Sequence, residues 1–392
     1  MRVLFCNYEY PPLGGGGGVV NALLAEEMAK RHEITVLTSQ GLGLPRESVE
    51  NGVRIIRTPV FFRRKEAVAN LLSMLAFIPM GIRVGEKLLR SAQFDVINTH
   101  FVLPTGPVGD ALSRFSGIPN VLSLHGGDLY DPSNLISPYR NPLLRPWVKR
   151  LLRRADMVVG QSNNTLDNMR RFYTPEIEGI RIPLGIRKPM VVSSFRRDYG
   201  FKEDDVLLVT VGRLVARKAI TQLIQMIHIL KDKRLRLLIL GTGPQEYLLK
   251  KETQRMLLDD QVLFFGHVEE SNKFSILQIC DIYVSTSQHE GFGLVFLEAM
   301  ACGLPIVCYD HGGQTDFLIN QETGYVVSLN DQDLFRKQLQ LLVENRSLRK
   351  TIGENNKQRV EAFYIDKCAL MYENVFDKAI RAKEKVRRTI TV

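Results

Sequence analysis

The segment Glu290-Gly291-Phe292-Gly293-Leu294-Val295-Phe296-Leu297-Glu298 carries two carboxylates eight positions apart, with two glycines between them. Glycines that open a helix leave its first N–H groups free to hold phosphate oxygens. Glu298, about two helical turns beyond Glu290, is expected on roughly the same side. A carboxylate only accepts hydrogen bonds and suits the two hydroxyls of a ribose. An acid in so apolar a helix needs a partner, so a structural ion pair is the competing explanation. Upstream, Arg213 follows a strand end in Val211-Gly212-Arg213-Leu214, and Lys218 comes five residues later at a helix start. An Arg grips bidentately and a Lys acts as a point charge, so the pair makes a diphosphate clamp unless both are merely solvated.

The amino-terminal half has its own candidates. Pro11-Pro12-Leu13 and five glycines, 14 to 18, follow the first strand, and Val19 opens a helix. Such a turn suits an anion or a close-packed ligand, though a flexible turn is the plain alternative. It fits neither the dinucleotide fingerprint nor the P-loop pattern. His100 ends one strand, and His125 follows another in His125-Gly126-Gly127-Asp128. Both stand at carboxyl ends of strands, where open α/β sheets keep their reactive groups. His125 lies beside two glycines that let a substrate approach. A metal site from His100, His125 and Asp128 has no local ligand spacing to support it.

These residues need a scaffold, and the pattern supplies one. Short runs rich in Val, Ile and Leu fall at residues 3–6, 33–38, 53–58, 95–99, 120–124 and 156–160, with helical patterns at 19–31, 66–90 and 106–115. A second set follows: strands at 206–211, 235–240, 262–265, 281–285 and 305–308, and helices at 217–231, 245–258, 270–279 and 293–302. Alternating strands and helices predict parallel sheets covered on both faces. Turn-formers crowd residues 183–200, so the expected domains are 1–187 and 188–365, with a final helical segment at 366–392. Two doubly wound domains facing a central cleft would put their strand carboxyl ends beside it.

With 392 residues, 45% of them apolar and 24% charged, the chain reads as globular. A formal charge of +10 favours anionic partners without choosing among them. Cys6, Cys280, Cys302, Cys308 and Cys368 form no CxxC pair, which predicts a reducing, cytoplasmic setting. The longest nearly apolar run, residues 67–82, is broken by Asn70, Ser73 and Pro79 and falls short of the ~18–20 residues of a membrane span. The stretch 54–90 holds Arg54, Arg57, Arg63, Arg64, Lys65, Arg83, Lys87 and Arg90 against Glu66 and Glu86, with Phe61, Phe62, Leu71, Leu72 and Leu75 among them. Arg145, Lys149, Arg150, Arg153 and Arg154 cluster beside Trp147. Apolar residues flanked by cations suit an interfacial helix, peripheral on the inner face of a membrane; an ordinary core helix is the alternative. No basic-aromatic repeat or RNA-binding signature points to nucleic acid.

The segment from Glu290 to Glu298 resembles the E-x7-E motif of retaining GT-B glycosyltransferases, family 4 in particular. Residues 11–38, the Asp-led strand ending in His100, Leu124-His125-Gly126-Gly127-Asp128, Val211 to Ala219, the Gly241-Thr242-Gly243-Pro244 turn, and His311-Gly312-Gly313 resemble further family motifs in the same order. The likeness runs from residue 1 to about 375. Ala219 stands where the family has a glycine, and a glycine between Arg31 and His32 is missing; neither touches a functional side chain.

The resemblance implies a sugar transfer from a nucleoside diphosphate sugar, UDP- or GDP-linked, to a glycan or lipid-linked acceptor. Retention of anomeric configuration and independence of any metal or cofactor are implied with it. Arg213 and Lys218 would clamp the diphosphate, assisted by the N–H groups of Gly293 and Leu294. Glu298 would hold the ribose. Glu290, Gly291 and Phe292 would meet the transferred sugar, and the backbone near Val268 the base. Gly15, Gly16 and His125 would line the cleft from the first domain, His125 helping to position the reacting centre, with His100 and Asp128 on the acceptor side. The final helix would cross back to the first domain. A sugar-nucleotide epimerase shares the architecture but needs a paired acid and base that the sequence does not show. A non-catalytic binder of anionic lipid or nucleic acid would account for the charge alone.

Overall fold

The computed structural model describes residues 1–41, 43–61, 63, 70–132, 137–190 and 194–390. The chain divides into two compact units, Met1–Arg187 with Tyr364–Val392, and Lys188–Phe363.

Unit 1 is built on β1 (Arg2–Cys6), β2 (Glu33–Ser39), β3 (Glu47–Glu50), β4 (Val53–Thr58), β5 (Val96–His100), β6 (Asn120–Leu124), β7 (Met157–Gly160) and β8 (Ile180–Arg181), in sheet order β3-β4-β2-β1-β5-β6-β7-β8. Its helices are α1 (Gly16–Ala29), α2 (Leu71–Ser91), α3 (Gly106–Ser116), α4 (Leu144–Arg154) and α5 (Asn163–Phe172). Alternation along β1 sorts the core into two layers. Val3 and Phe5 join Leu24, Met28 and Phe376 on one face, while Leu4 and Cys6 join Phe77, Val108 and Leu112 on the other.

The strand pattern predicts a wholly parallel sheet, but β3 pairs antiparallel with β4. Its sequence, Glu47-Ser48-Val49-Glu50, carries too little apolar content to register as a strand. The signal is the two-residue turn, Asn51 at φ 48 and Gly52 at φ 81, a strong hairpin pair.

Helix α2 starts at Leu71, where the Asn70 side chain accepts the Ser73 N–H at 2.8 Å. Phe62, Arg64, Lys65, Glu66 and Ala67, which the sequence pattern sets at the head of this stretch, lie outside the described residues, as does Ser193 of the expected linker. The buried face of α2 is Ser73, Phe77, Gly81, Gly85 and Leu88, packed on α3. That face of α2 is an ordinary core face, while Leu71, Leu72 and Leu75 are exposed. Arg63 is not a surface cation: it is 6% exposed, lies over the Tyr8 ring and donates to Ser39 Oγ at 2.8 Å.

Unit 2 holds β9 (Val206–Val211), β10 (Leu235–Leu240), β11 (Val262–Gly266), β12 (Ile282–Ser285), β13 (Ile306–Tyr309) and β14 (Gly324–Val327), in order β11-β10-β9-β12-β13-β14, all parallel. Its helices are α6 (Ile220–Leu230), α7 (Glu246–Arg255), α8 (Glu270–Ile279), α9 (Leu294–Ala301), α10 (Gln332–Glu344) and α11 (Arg346–Arg359). The last helix, α12 (Ile365–Ile390), belongs to unit 1, where it packs on α1 and against β5 and β6. Among the described residues, no helix is long and apolar enough to cross a membrane.

Candidate active site

Each sheet reverses its strand order once, between β1 and β5 in unit 1 and between β9 and β12 in unit 2. Open α/β sheets bind ligands beyond the strand carboxyl ends at such a reversal. The candidate residues gather at both.

In unit 2 three loops meet. Residues after β9 form a tight turn, Ala216–Lys218, and Ala219 ends it at φ 45, a left-handed conformation that an Ala adopts at some cost. The loop after β12 is stitched to it: Thr286 Oγ1 donates to the carbonyls of Lys218 and Ala219 at 3.1 and 3.0 Å, and the Gln288 N–H donates to the Arg217 carbonyl at 2.8 Å. The loop after β13 braces the far side, where the Gly313 N–H donates to the Glu290 carbonyl at 2.9 Å. Gly312, at φ 138, passes so close to the Glu290 backbone that no side chain fits.

This weave puts the Lys218 ammonium in direct hydrogen-bonded contact with the Glu290 carboxylate, and Arg217 Nη1 lies 3.5 Å from its other oxygen. Glu290 is 7% exposed. Burial alone would raise its pKa, but Lys218 and Arg217 outweigh it and bring the carboxyl down to about 2. Arg217 also donates to the His289 carbonyl. The sequence reading overlooked Arg217, because neighbours in a helix diverge; in this turn both cations reach one acid. Arg213 is exposed and has no ion-pair partner among the described residues.

Helix α9 begins beyond this acid. Gly293 caps it at φ 90 with no side-chain cap, so its first N–H groups have no side-chain partner. Glu290 precedes the helix, so helical periodicity does not relate it to Glu298. Glu298 finds a different cation: Lys273 of α8 at 2.6 Å. Burial raises the Glu298 pKa against the pull of Lys273, and its buried Oε2 has no hydrogen-bond partner among the described residues. Phe292 is 3% exposed and packs on Phe317, so the loop backbone rather than the ring is open to a ligand. Gly291 lies in the same loop, and Leu294 supplies the first residue of α9. Val268 is half-buried in the turn leading into α8, the helix that carries Lys273.

In unit 1, Gly15 and Gly16 are exposed at the start of α1, with open space where a side chain would stand. Gly17 lies against Phe101, whose ring stacks on His125 at 4.2 Å between centroids. His125 Nε2 is 2.9 Å from His100 Nδ1. Asp128 Oδ1 accepts the His125 N–H at 3.0 Å and Oδ2 accepts the Val102 N–H at 2.7 Å, while Gln161 donates to the His125 carbonyl at 2.8 Å. Burial pushes Asp128 up to about 6 and His125 down to about 4; burial and the neighbouring His125 hold His100 well below the ordinary range. The acceptor-side expectation for His100 needs correction: it is 1% exposed and stands behind His125. Asp128 builds the loop backbone, a task its position in the motif did not reveal.

Two parallel-sheet α/β units with polar loops at both reversals have the architecture of GT-B glycosyltransferases. The chain superposes on sucrose-phosphate synthase from Thermosynechococcus elongatus with a TM-score of 0.86 at 22% identity, covering 97% of this chain and all of that one. It also superposes on Anabaena Alr3699/HepE in complex with UDP-glucose, with a TM-score of 0.76 at 18% identity, over 96% of this chain and all of that one. In sequence it is 26% identical over 384 residues to the N-acetyl-alpha-D-glucosaminyl L-malate synthase of Bacillus anthracis, spanning 95% of this chain and 96% of the relative. The family description "Glycosyl transferases group 1" matches residues 192–359, and "Glycosyl transferase 4-like domain" matches residues 15–185. Between them the two matches take in most of the chain, which belongs to the group 1 glycosyltransferases, family 4-like. That membership makes it an enzyme and sets aside both the epimerase and the non-catalytic binder.

Proposed function

We propose that the enzyme moves a sugar from a UDP- or GDP-sugar to a glycan or lipid-linked acceptor, with retention and without a metal ion. The observation that carries this is the pair of cations, Lys218 and Arg217, converging on buried Glu290 beside the uncapped start of α9. Departure of a nucleoside diphosphate leaves negative charge, and fixed cations with helix N–H groups stabilise it without reorganising. Exposed Arg213 adds a bidentate grip. Charge compensation by side chains is the basis for the metal-free reading.

The remaining roles follow the resemblance. Glu298 accepts from the ribose hydroxyls, and its unpartnered Oε2 leaves acceptor capacity beyond the bond to Lys273. Val268 lies toward the base. Glu290 and the Gly291-Phe292 backbone meet the sugar, as does His125, and Gly15 and Gly16 leave room for a ligand. The Anabaena neighbour's UDP-glucose complex favours a UDP-sugar as the first donor to try. We also infer a cytoplasmic enzyme peripheral on an anionic membrane. Leu71, Leu72 and Leu75 of α2 and Leu143 before α4 are exposed near basic residues, which supports a lipid-linked acceptor.

The test is a thermal-shift panel of UDP-, GDP-, ADP- and TDP-sugars. A donor at 100 times its Kd should stabilise by about 2.7 kcal/mol. Release of the matching diphosphate, with and without a lipid-linked, glycan or small-acid acceptor, then reads turnover. No shift and no release from any donor would overturn the reading.

A further inference from the structure

A continuous line of side-chain hydrogen bonds runs through unit 1 behind His125. It starts on α12, where the Tyr372 hydroxyl donates to Ser123 Oγ at 3.2 Å. The Ser123 hydroxyl, on β6, donates to Asn98 Oδ1 at 3.1 Å. Asn98 Nδ2, on β5, lies 2.8 Å from His100 Nε2. His100 Nδ1 lies 2.9 Å from His125 Nε2.

The orientation of the Asn98 amide gives the line its direction: its oxygen accepts from Ser123, which turns its nitrogen to His100. An amide nitrogen only donates, so in this orientation His100 Nε2 accepts and the His100 proton sits on Nδ1. That N–H points at His125 Nε2, which must accept in turn. The proton of His125 is left on Nδ1, and this atom has no hydrogen-bond partner among the described residues. Ring stacking holds the geometry, His100 on Phe5 at 5.6 Å and His125 on Phe101 at 4.2 Å.

We propose that Tyr372, Ser123, Asn98 and His100 are positioning residues that fix His125 as the tautomer carrying its proton on Nδ1, so that it donates to the transferred sugar. Asn98, His100 and Ser123 are almost wholly buried in the middle of the sheet. A buried polar line destabilises unless every joint is made, and here every joint is made and the line ends on the His125 Nδ1–H. Burial also keeps the components in the protonation states the line needs: both imidazoles neutral and the Tyr372 phenol protonated. The opposite tautomer would present a bare Nδ1 and could only accept. The line therefore chooses the sense of the hydrogen bond, and it gives α12, far away in sequence, a share in the site. The functional half of this assignment rests on the reading that His125 meets the sugar.

The experiment is 15N NMR of the histidine-labelled full-length protein without donor, His125 being assigned by its loss in His125→Gln. We expect a pyrrole-type Nδ1 and a pyridine-type Nε2. Asn98→Leu, close in size, removes the donor at the middle joint. It should scramble the His125 tautomer and lower kcat by roughly 10-fold, the worth of one neutral hydrogen bond, with donor KM little changed. Tyr372→Phe, at the far end and least disruptive to folding, should cost about 2-fold. A pyridine-type Nδ1 in the wild type, or an unchanged tautomer in folded Asn98→Leu, overturns the proposal even if transfer is intact. Full transfer by His125→Ala overturns it by a separate route, by removing the sugar contact the line serves.

Discussion

At the strand reversal of unit 2 the side chains are charged and paired. Lys218 and Arg217 share Glu290, Lys273 takes Glu298, and the Glu290 carboxyl falls to about 2. At the matching place in unit 1 the two imidazoles are neutral, and the one carboxyl, Asp128, is taken up by backbone N–H groups. His100 and His125 are driven below their ordinary pKa values, and Asp128 is pushed up to about 6. The same topology thus carries two electrostatic designs. One holds fixed charge ready for a ligand that brings charge. The other faces its ligand with neutral imidazoles and controls where a proton sits, which suits hydroxyl-bearing ligands. Burial has the same sign of effect at both; the difference lies in whether an opposite charge is delivered by a neighbouring loop.

The strongest way to break this contrast is to remove a cation. Lys218→Ala and Arg213→Ala should each lower kcat/KM for the donor by about 10²-fold or more, since a charge-assisted contact is worth roughly 1.5–3 kcal/mol before transition-state charge is counted. The structure separates the two in stability. Arg213 is exposed and has no ion-pair partner among the described residues, so its variant should keep the wild-type Tm, whereas Lys218→Ala leaves buried Glu290 with Arg217 and should melt lower. Unimpaired donor use by both variants would remove the clamp.

A finer division lies between the two glutamates. Glu298→Gln should mainly raise donor KM, because ribose contacts are alike in ground and transition states. Glu290→Gln should lower kcat more than it raises KM, by roughly 10-fold, as befits a group at the reacting end. Steady-state kinetics that leave the two variants indistinguishable would show that the roles are not divided.

Acid should separate the units without any substitution. A depressed carboxyl such as Glu290 contributes stability above its ordinary value of 4.5 and loses it only as pH falls through about 2. His125 is depressed from 6.5 to about 4, so its contribution is present above 6.5 and is lost as pH falls through about 4; His100 moves the same way. Asp128 runs oppositely: its contribution is full below 3.8 and is lost as pH rises through about 6, which offsets one of the two histidines. The remaining histidine makes unit 1 the acid-labile half between about pH 6.5 and 4. Hydrogen exchange over that range should deprotect β5 and β6 before β9 and β12. Earlier deprotection of β9 and β12 would contradict the contrast.

What the sequence disclosed follows from what is local. Strand and helix alternation, the glycines before α9 and the histidines at strand ends are all written in consecutive residues, and those elements are where the pattern puts them. What it hid is long-range or conformational. Lys273 meets Glu298 from another helix, and no spacing within α9 announces it. Arg217 was obscured because a helical reading of 217–231 sends it away from Lys218, whereas the turn before Ala219 does not. β14, Gly324–Val327, is too short to stand out, and β3 is too polar. The order of the line behind His125 needs three elements brought together, and only the fold does that.

The smallest expected effect concerns the surface of unit 1. Opposite its buried face, α2 presents Leu71, Leu75, Pro79, Arg83 and Lys87, an exposed stripe that is apolar at one end and cationic at the other. Such a stripe suits a helix lying in the headgroup region. Much of the other basic surplus is already spent. Arg54 and Arg57 pair with Glu47 and Glu50, Arg153 with Glu176 and Arg154 with Asp110. Arg83 and Lys87 have no ion-pair partner among the described residues, and each should contribute roughly 1 kcal/mol at an anionic surface, about fivefold in binding. Flotation with phosphatidylglycerol vesicles should therefore recover the protein, and ~0.5 M salt should release it by screening. Arg83→Glu with Lys87→Glu should weaken recovery while leaving donor turnover in solution unchanged, because both residues lie outside the donor site. Equal recovery with anionic and neutral vesicles would remove the membrane from the account, and a free glycan or small acid would then be the acceptor to pursue.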